Sequence, residues 1–159
     1  MTPDDYPAVA KIYAEGISTG NATFQLDVPT WEIWDAAHVK TCRITAELDG
    51  VVAGWAALTP VSERCVYGGV AEVSVYIGEN FRGHGIGLRL LQELVAESEA
   101  TRFWTLQAGI FPENVGSVRI HEKAGFRQVG RREKIGQMHG IWRDTLLLER
   151  RSSIVGIST

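Results

Sequence analysis

Gly83, Gly85 and Gly87 alternate with His84 and Ile86 just after Arg82, and a leucine-rich segment follows at once. Glycine puts no side chain between the main chain and a ligand, so the amides of such a turn can approach an anion closely. Where the next residues wind into a helix, its first unpaired N–H groups and positive dipole end add to that attraction. The chemistry such a turn suits is the holding of a phosphate or diphosphate. A strand must deliver the chain to it: Val73, Val75 and Ile77 alternate with Glu72, Ser74 and Tyr76 at a period of two. A helix must carry it away: Ile86, Leu90, Leu91, Leu94 and Val95 recur at helical spacing.

Spacing separates three known phosphate-binding signatures. A P-loop requires Gly-Lys-Ser/Thr before its helix, and here Gly87 is followed by Leu88 and Arg89. A dinucleotide fingerprint requires G-x-G-x-x-G and an acidic residue about 20 residues on. The glycines read G-x-G-x-G, and the next strand, Thr105 to Ile110, ends without an acid. What remains, Arg82-x-x-Gly85-x-Gly87, resembles the R/Q-x-x-G-x-G/A element of the GCN5-related N-acetyltransferases, which holds the pyrophosphate of acetyl-coenzyme A. The resemblance implies that Arg82, Gly83, His84, Gly85, Ile86, Gly87 and Leu88 bind that cofactor. Downstream, Asn114-Val-Gly-Ser117 with His121, Gly125 and Phe126 resembles the same family's second element, N-x-x-[SA]-x-x-x-[YH]-x-x-x-G-[FY]. Asn114 is then expected at the end of the splayed strand with its amide free for the pantetheine or pyrophosphate. A helix from Ser117 to Ala124 is expected to end on Gly125 as a left-handed cap. Taken singly, Asn114 and Ser117 also read as plain turn and capping residues; taken as a pair behind the glycine turn, they read as cofactor ligands.

The 159 residues suit one domain, able to bury a core without disulfides or metal. A net charge of -3 disfavours a nucleic-acid or acidic-membrane partner. Cys42 and Cys65 lie in no C-x-x-C spacing, the N-terminus lacks the apolar run of a signal peptide, and no apolar stretch reaches transmembrane length. Free thiols and a cytoplasmic location are expected, with no metal.

Thr2-Pro3-Asp4-Asp5 reads as a helix start, followed by Val9, Ile12 and Tyr13 on one face. Thr30 caps a short helix carrying Trp31 and Trp34. Residues 42–48 and 51–58 flank an Asp49-Gly50 turn and read as a hairpin. Strand, helix, strand and helix follow, then strands from Phe126 to Lys134 and from Ile141 to Leu148. The order predicts one domain over residues 1–150 and a tail at 151–159. It resembles the acetyltransferase fold of mixed α/β class: a mostly antiparallel, splayed sheet flanked by helices. One departure is expected, because the family's opening edge strand is missing or reduced to a residue or two.

Residues 60–72 and 138–144 narrow the resemblance to the phosphinothricin-type N-acetyltransferases. Their acceptors are small amino acids bearing a tetrahedral acid or its mimic, such as phosphinothricin, methionine sulfoximine and arsinothricin. That resemblance implies Glu72 as general base acting through water, and His121 as the group that protonates the departing sulfur or orients the site. A backbone N–H along Val75, Tyr76 and Ile77 would meet the oxyanion. Arg64 suits a substrate carboxylate or phosphinate through its planar fork, and Tyr67 could donate to the same anion. Phe24 is expected to wall the pocket, and His139 to line it from a loop, of this chain or of a partner subunit. A homodimer is expected from the family. The alternatives are a polyamine, aminoglycoside or protein N-terminal acceptor, or a CoA-binding sensor without catalysis.

Overall fold

A computed structural model describes residues 1–157. A 3₁₀ turn at Pro3–Asp5 leads into α1 (Tyr6–Ser18), followed by α2 (Trp31–Ala37), β1 (Arg43–Leu48), β2 (Val51–Pro60) and β3 (Val70–Ile77). The second half comprises α3 (Ile86–Ala100), β4 (Thr105–Ile110), α4 (Val115–Lys123), β5 (Arg127–Met138) and β6 (Ile141–Arg151). The strands make one sheet in the order β1-β2-β3-β4-β6-β5. Only the β3–β4 pair is parallel, so the expected mixed α/β architecture with a mostly antiparallel sheet is found.

Strand pleating divides the core in two. On one face Ala56, Leu58, Val73, Leu106 and Ala108 pack against Leu90, Leu91, Leu94 and Val95 of α3. On the other, Trp55 and Ala57 meet Tyr6, Val9 and Ile12 of α1 and Trp34 of α2. Because β2 is covered on both sides, Ala53 to Leu58 is buried without interruption and reads as an apolar run rather than an alternation. The hairpins β1–β2 and β5–β6 turn on Asp49-Gly50 and His139-Gly140, each pair with both φ positive, as two-residue I′ turns demand.

Among the described residues no strand precedes α1. The Met1 ammonium donates to the Arg43 carbonyl of β1 at 3.3 Å, a one-residue contact where an edge strand would lie. Several element limits differ from expectation. α4 starts two residues before Ser117 because the Asn114 side chain caps it. β5 continues past Lys134 because residues 133–135 form a bulge, marked by a register shift between Arg132 and Gly136, after which pairing resumes. β6 runs one residue into the expected 151–159 tail, where the Ser152 N–H donates to the Trp104 carbonyl at 2.8 Å. The last two residues of that tail lie outside the described residues. No helix among the described residues is long and apolar enough to cross a membrane.

Candidate active site

β3 and β4 are paired only through Val70–Thr105, Ala71–Leu106 and Glu72–Gln107. Past Glu72, β3 stays with β2 as far as Ile77 while β4 stays with β6 as far as Ile110, and the two part. Every second main-chain amide and carbonyl of residues 73–77 therefore faces the gap without a strand partner. A cavity of about 630 Å³ lies on the side of the glycine turn, lined by Arg82, Gly83, Gly85, Gly87 and Leu88. A second, of about 360 Å³, lies on the side of Glu72, Phe24 and His121. Ala22, Val75, Tyr76, Asn114 and Ser117 line both, so the cavities meet at the gap.

The glycine turn has the geometry its composition predicts. Gly83 and Gly85 sit at φ +81° and +76°, a region costly for residues with a Cβ. The Arg89 N–H donates to the Gly85 carbonyl, so the N–H groups of Ile86, Gly87 and Leu88 precede the helical ladder. A Cβ on Gly87 would stand 3.2 Å from Ile120 Cδ1, so this glycine also lets α3 approach α4. The Arg82 side chain forms no ion pair among the described residues. His84 differs from its neighbours: its Nδ1 lies 3.1 and 3.0 Å from the Phe81 and Arg82 carbonyls, and it does not line the cavity.

The amide of Asn114 is not free, contrary to the sequence expectation. Its Oδ1 accepts from the Ser117 N–H at 3.2 Å, capping α4, and its Nδ2 donates to the Asn21 carbonyl at 3.2 Å. The other end of α4 is as expected. Gly125 sits at φ +92°, the Phe126 N–H donates to the His121 carbonyl and the Gly125 N–H to the Glu122 carbonyl, which is a Schellman motif. The accompanying apolar contact is the Phe126 ring edge-on to His121 at 5.1 Å. Helix end and ring packing thus fix His121 in the smaller cavity.

His121 is 4% exposed, and its Nδ1 lies 2.7 Å from the Ser117 carbonyl. A carbonyl only accepts, so Nδ1 carries the hydrogen and Nε2 keeps its lone pair. Burial lowers the pKa despite that hydrogen bond, and the ring is neutral at neutral pH. As folded, Nε2 can accept a proton. His38, stacked on Trp34, is shifted the same way by burial. The unfolded chain binds protons at both sites near pH 6.5, whereas the folded chain binds them only lower. Stability is therefore expected to fall as pH drops through 6.5, with a slope of at most about 1.4 kcal/mol per pH unit for each histidine. Thermal melts between pH 7 and 5 check this, and His121→Asn is expected to flatten the profile.

Glu72 ends the β3–β4 pairing, and Gln107 Nε2 donates to its Oε2 at 3.0 Å. Phe24 packs edge-on to Phe111 at 4.8 Å. Arg64, Tyr67 and His139 do not line this cavity: Arg64 lies over the Tyr67 ring in the exposed 64–68 loop, and His139 is at the exposed β5–β6 turn. Neither cysteine lines either cavity. Three residues were missed by sequence reading. Gln107 orients Glu72, Arg132 lines the cavity, and Arg143 donates to the Gly20 carbonyl and to Asn21 Oδ1, both at 2.9 Å, while lying over the Phe111 ring. Arg143 thereby ties the loop that carries Phe24 to the sheet. Among the described residues no cluster of side chains suits a metal ion.

Such an arrangement suits bringing a phosphate-bearing donor and a small acceptor together at a strand opening. Residues 9–126 match the model of the acetyltransferase (GNAT) family. The chain is 34% identical to a phosphinothricin N-acetyltransferase of Alcaligenes faecalis, over 92% of this chain and 78% of that protein. It is 26% identical to an L-methionine sulfoximine/L-methionine sulfone acetyltransferase of Pseudomonas paraeruginosa, over 91% and 88%. Among solved structures, a phosphinothricin acetyltransferase of Sinorhizobium meliloti in complex with acetyl-CoA superimposes with a TM-score of 0.91 at 27% identity, covering 100% of this chain and 89% of that one. The chain belongs to the acetyltransferase (GNAT) family and is an acetyl-CoA-dependent N-acetyltransferase.

Proposed function

We propose that residues 1–150 form one catalytic domain that acetylates the α-amine of a small amino acid bearing an anionic or tetrahedral side-chain group, by direct transfer in a ternary complex. The observation that carries this is the meeting of the two cavities at the unpaired part of β3, with Glu72 on the acceptor side and the glycine turn on the donor side. A volume of about 360 Å³ suits a small acceptor. The names of the relatives support the phosphinothricin and methionine sulfoximine type.

In this reading the amides of residues 83–88, with Arg82, hold the diphosphate. Asn114 and Ser117 shape the channel wall through the α4 cap. The thioester reaches Val75, Tyr76 and Ile77, where an unpaired N–H stabilises the oxyanion. Glu72, through water, takes a proton from the acceptor ammonium, and the freed amine attacks the thioester carbonyl. His121 Nε2 accepts the second proton from the tetrahedral adduct. The adduct collapses, the C–S bond breaks, and the imidazolium returns that proton to the sulfur. His121 thus serves as an acid only after serving as a base. A homodimer belongs to the same proposal, supported by the exposed Val129, Ile135, Ile141 and Trp142 of the β5–β6 hairpin.

Thiol release from acetyl-CoA, measured over a panel of amines, tests the reading. Phosphinothricin, methionine sulfoximine or arsinothricin is expected to be turned over in preference to polyamines, aminoglycosides and peptide N-termini. Turnover of one of the latter alone would replace the acceptor, and acetyl-CoA binding without any turnover would favour a sensor.

A further inference from the structure

At the rim of the acceptor cavity is an exposed arginine of β5, Arg132, that the transfer steps leave unused. Arg132 lines the cavity, and its cross-strand partner is Thr145, 8% exposed, which lines it too. Cross-strand partners share a face of the sheet, and faces alternate along a strand. Stepping from Thr145 by two to Leu147 and Glu149, then across to Gln107 and Glu72, stays on one face. Arg132 and Glu72 therefore stand on the same side of the sheet, at separate strands of one cavity.

The β5 bulge is what aims this part of the strand. Lys134 takes φ +48°, and its N–H donates to Asp144 Oδ1 at 2.7 Å while Arg131 Nε donates to Oδ2 of the same carboxylate at 2.7 Å. Gly136 then makes room for the acceptor wall, since a Cβ there would lie 2.7 Å from the Phe24 ring. The arginines of β5 and β6 differ in their partners. Arg127, Arg131, Arg143 and Arg150 are each paired with a carboxylate. Arg132 has neither an ion pair nor a side-chain hydrogen bond among the described residues, and Glu72 is the only carboxylate lining the cavity among them.

We infer that Arg132 is the residue that recognises the acidic group of the acceptor, binding two oxygens of a carboxylate or tetrahedral acid while Glu72 faces the amine. The inference rests on the amino-acid reading above and deepens it. It moves anion recognition from Arg64, which lies outside the cavity, to the bulged strand.

Steady-state kinetics with phosphinothricin at saturating acetyl-CoA test it on Arg132→Gln and Arg132→Lys, with Arg127→Gln as a control for charge on the same strand. Loss of a charge-assisted bidentate contact is expected to raise the acceptor KM about 10–100-fold in Arg132→Gln, with kcat within about threefold of native. Arg132→Lys is expected to recover part of the loss, and both variants to melt as the native protein does. The α-carboxamide of phosphinothricin separates the two oxyanions: a fold-change that persists assigns Arg132 to the side-chain acid, and one that vanishes assigns it to the α-carboxylate. A native acceptor KM in Arg132→Gln, a defect confined to kcat, or an equal defect in Arg127→Gln would overturn the inference while leaving the amino-acid reading intact. A native enzyme that turns over no anionic acceptor would overturn both.

Discussion

Glu72→Gln is expected to lower kcat by about 10²–10⁴-fold at neutral pH while leaving acetyl-CoA affinity unchanged. The substitution keeps size and shape, and the side-chain oxygen can still accept from Gln107 Nε2, which holds the native carboxylate at 3.0 Å. What it removes is the capacity to take a proton from the acceptor ammonium. Each unit by which the amine pKa exceeds the pH costs about 1.4 kcal/mol of deprotonation, so the loss should shrink as pH rises and the amine deprotonates unaided. Donor affinity is spared because Glu72 lines the acceptor cavity and not the donor cavity. Stopped-time assays of thiol release across pH, with calorimetric titration of acetyl-CoA, measure both halves. Native kcat at neutral pH would remove Glu72 from the mechanism and leave His121 as the sole candidate base.

Gly85→Val is expected to weaken acetyl-CoA binding roughly tenfold to a hundredfold. Gly85 precedes α3 at φ +76°, where a residue with a Cβ loses about 1–2 kcal/mol and a β-branched one more. No atom lies within 4 Å of a Cβ built there, so the fold does not itself reject the side chain. The cost falls on the turn, which must relax away from the left-handed conformation or hold it under strain. Relaxation turns the amides of Ile86, Gly87 and Leu88 out of alignment with the diphosphate, and holding the conformation leaves the strain to be met from the binding energy. The Kd of acetyl-CoA, measured by calorimetry beside the melting temperature of the unliganded variant, separates a binding loss from a folding loss.

How far the site could be read from sequence follows the range of each interaction. The glycine turn was legible because Gly83, Gly85 and Gly87 act through their own backbone, within one turn of chain. The helix end that holds His121 was legible because the Schellman motif at Gly125 and Phe126 is local, whereas the effect of burial on the ring depends on the whole fold. Asn114 was misjudged because a capping side chain and a free amide look alike in sequence, and only the Asn21 carbonyl, 93 residues away, decides between them. Gln107 and Arg143 were invisible for the same reason: one reaches Glu72 across the sole parallel strand pair, the other reaches Asn21 from 122 residues away. Arg132 was not singled out because in the run Arg131-Arg-Glu-Lys-Ile135 nothing in the charge pattern says which exposed arginine borders the cavity and which pairs with Asp144. Arg64 and Tyr67 show the reverse case. Their spacing before Glu72 suggested a shared site, and in the structure they lie together in the exposed 64–68 loop, outside the lining of the cavity.

A crystal structure of the chain with acetyl-CoA tests the central claim most directly. The account predicts diphosphate oxygens within hydrogen-bonding distance of the main-chain amides of residues 83–88, and the thioester in the gap between β3 and β4, facing Glu72 across the junction of the two cavities. A donor bound with its diphosphate elsewhere, or with its thioester outside that gap, would contradict it.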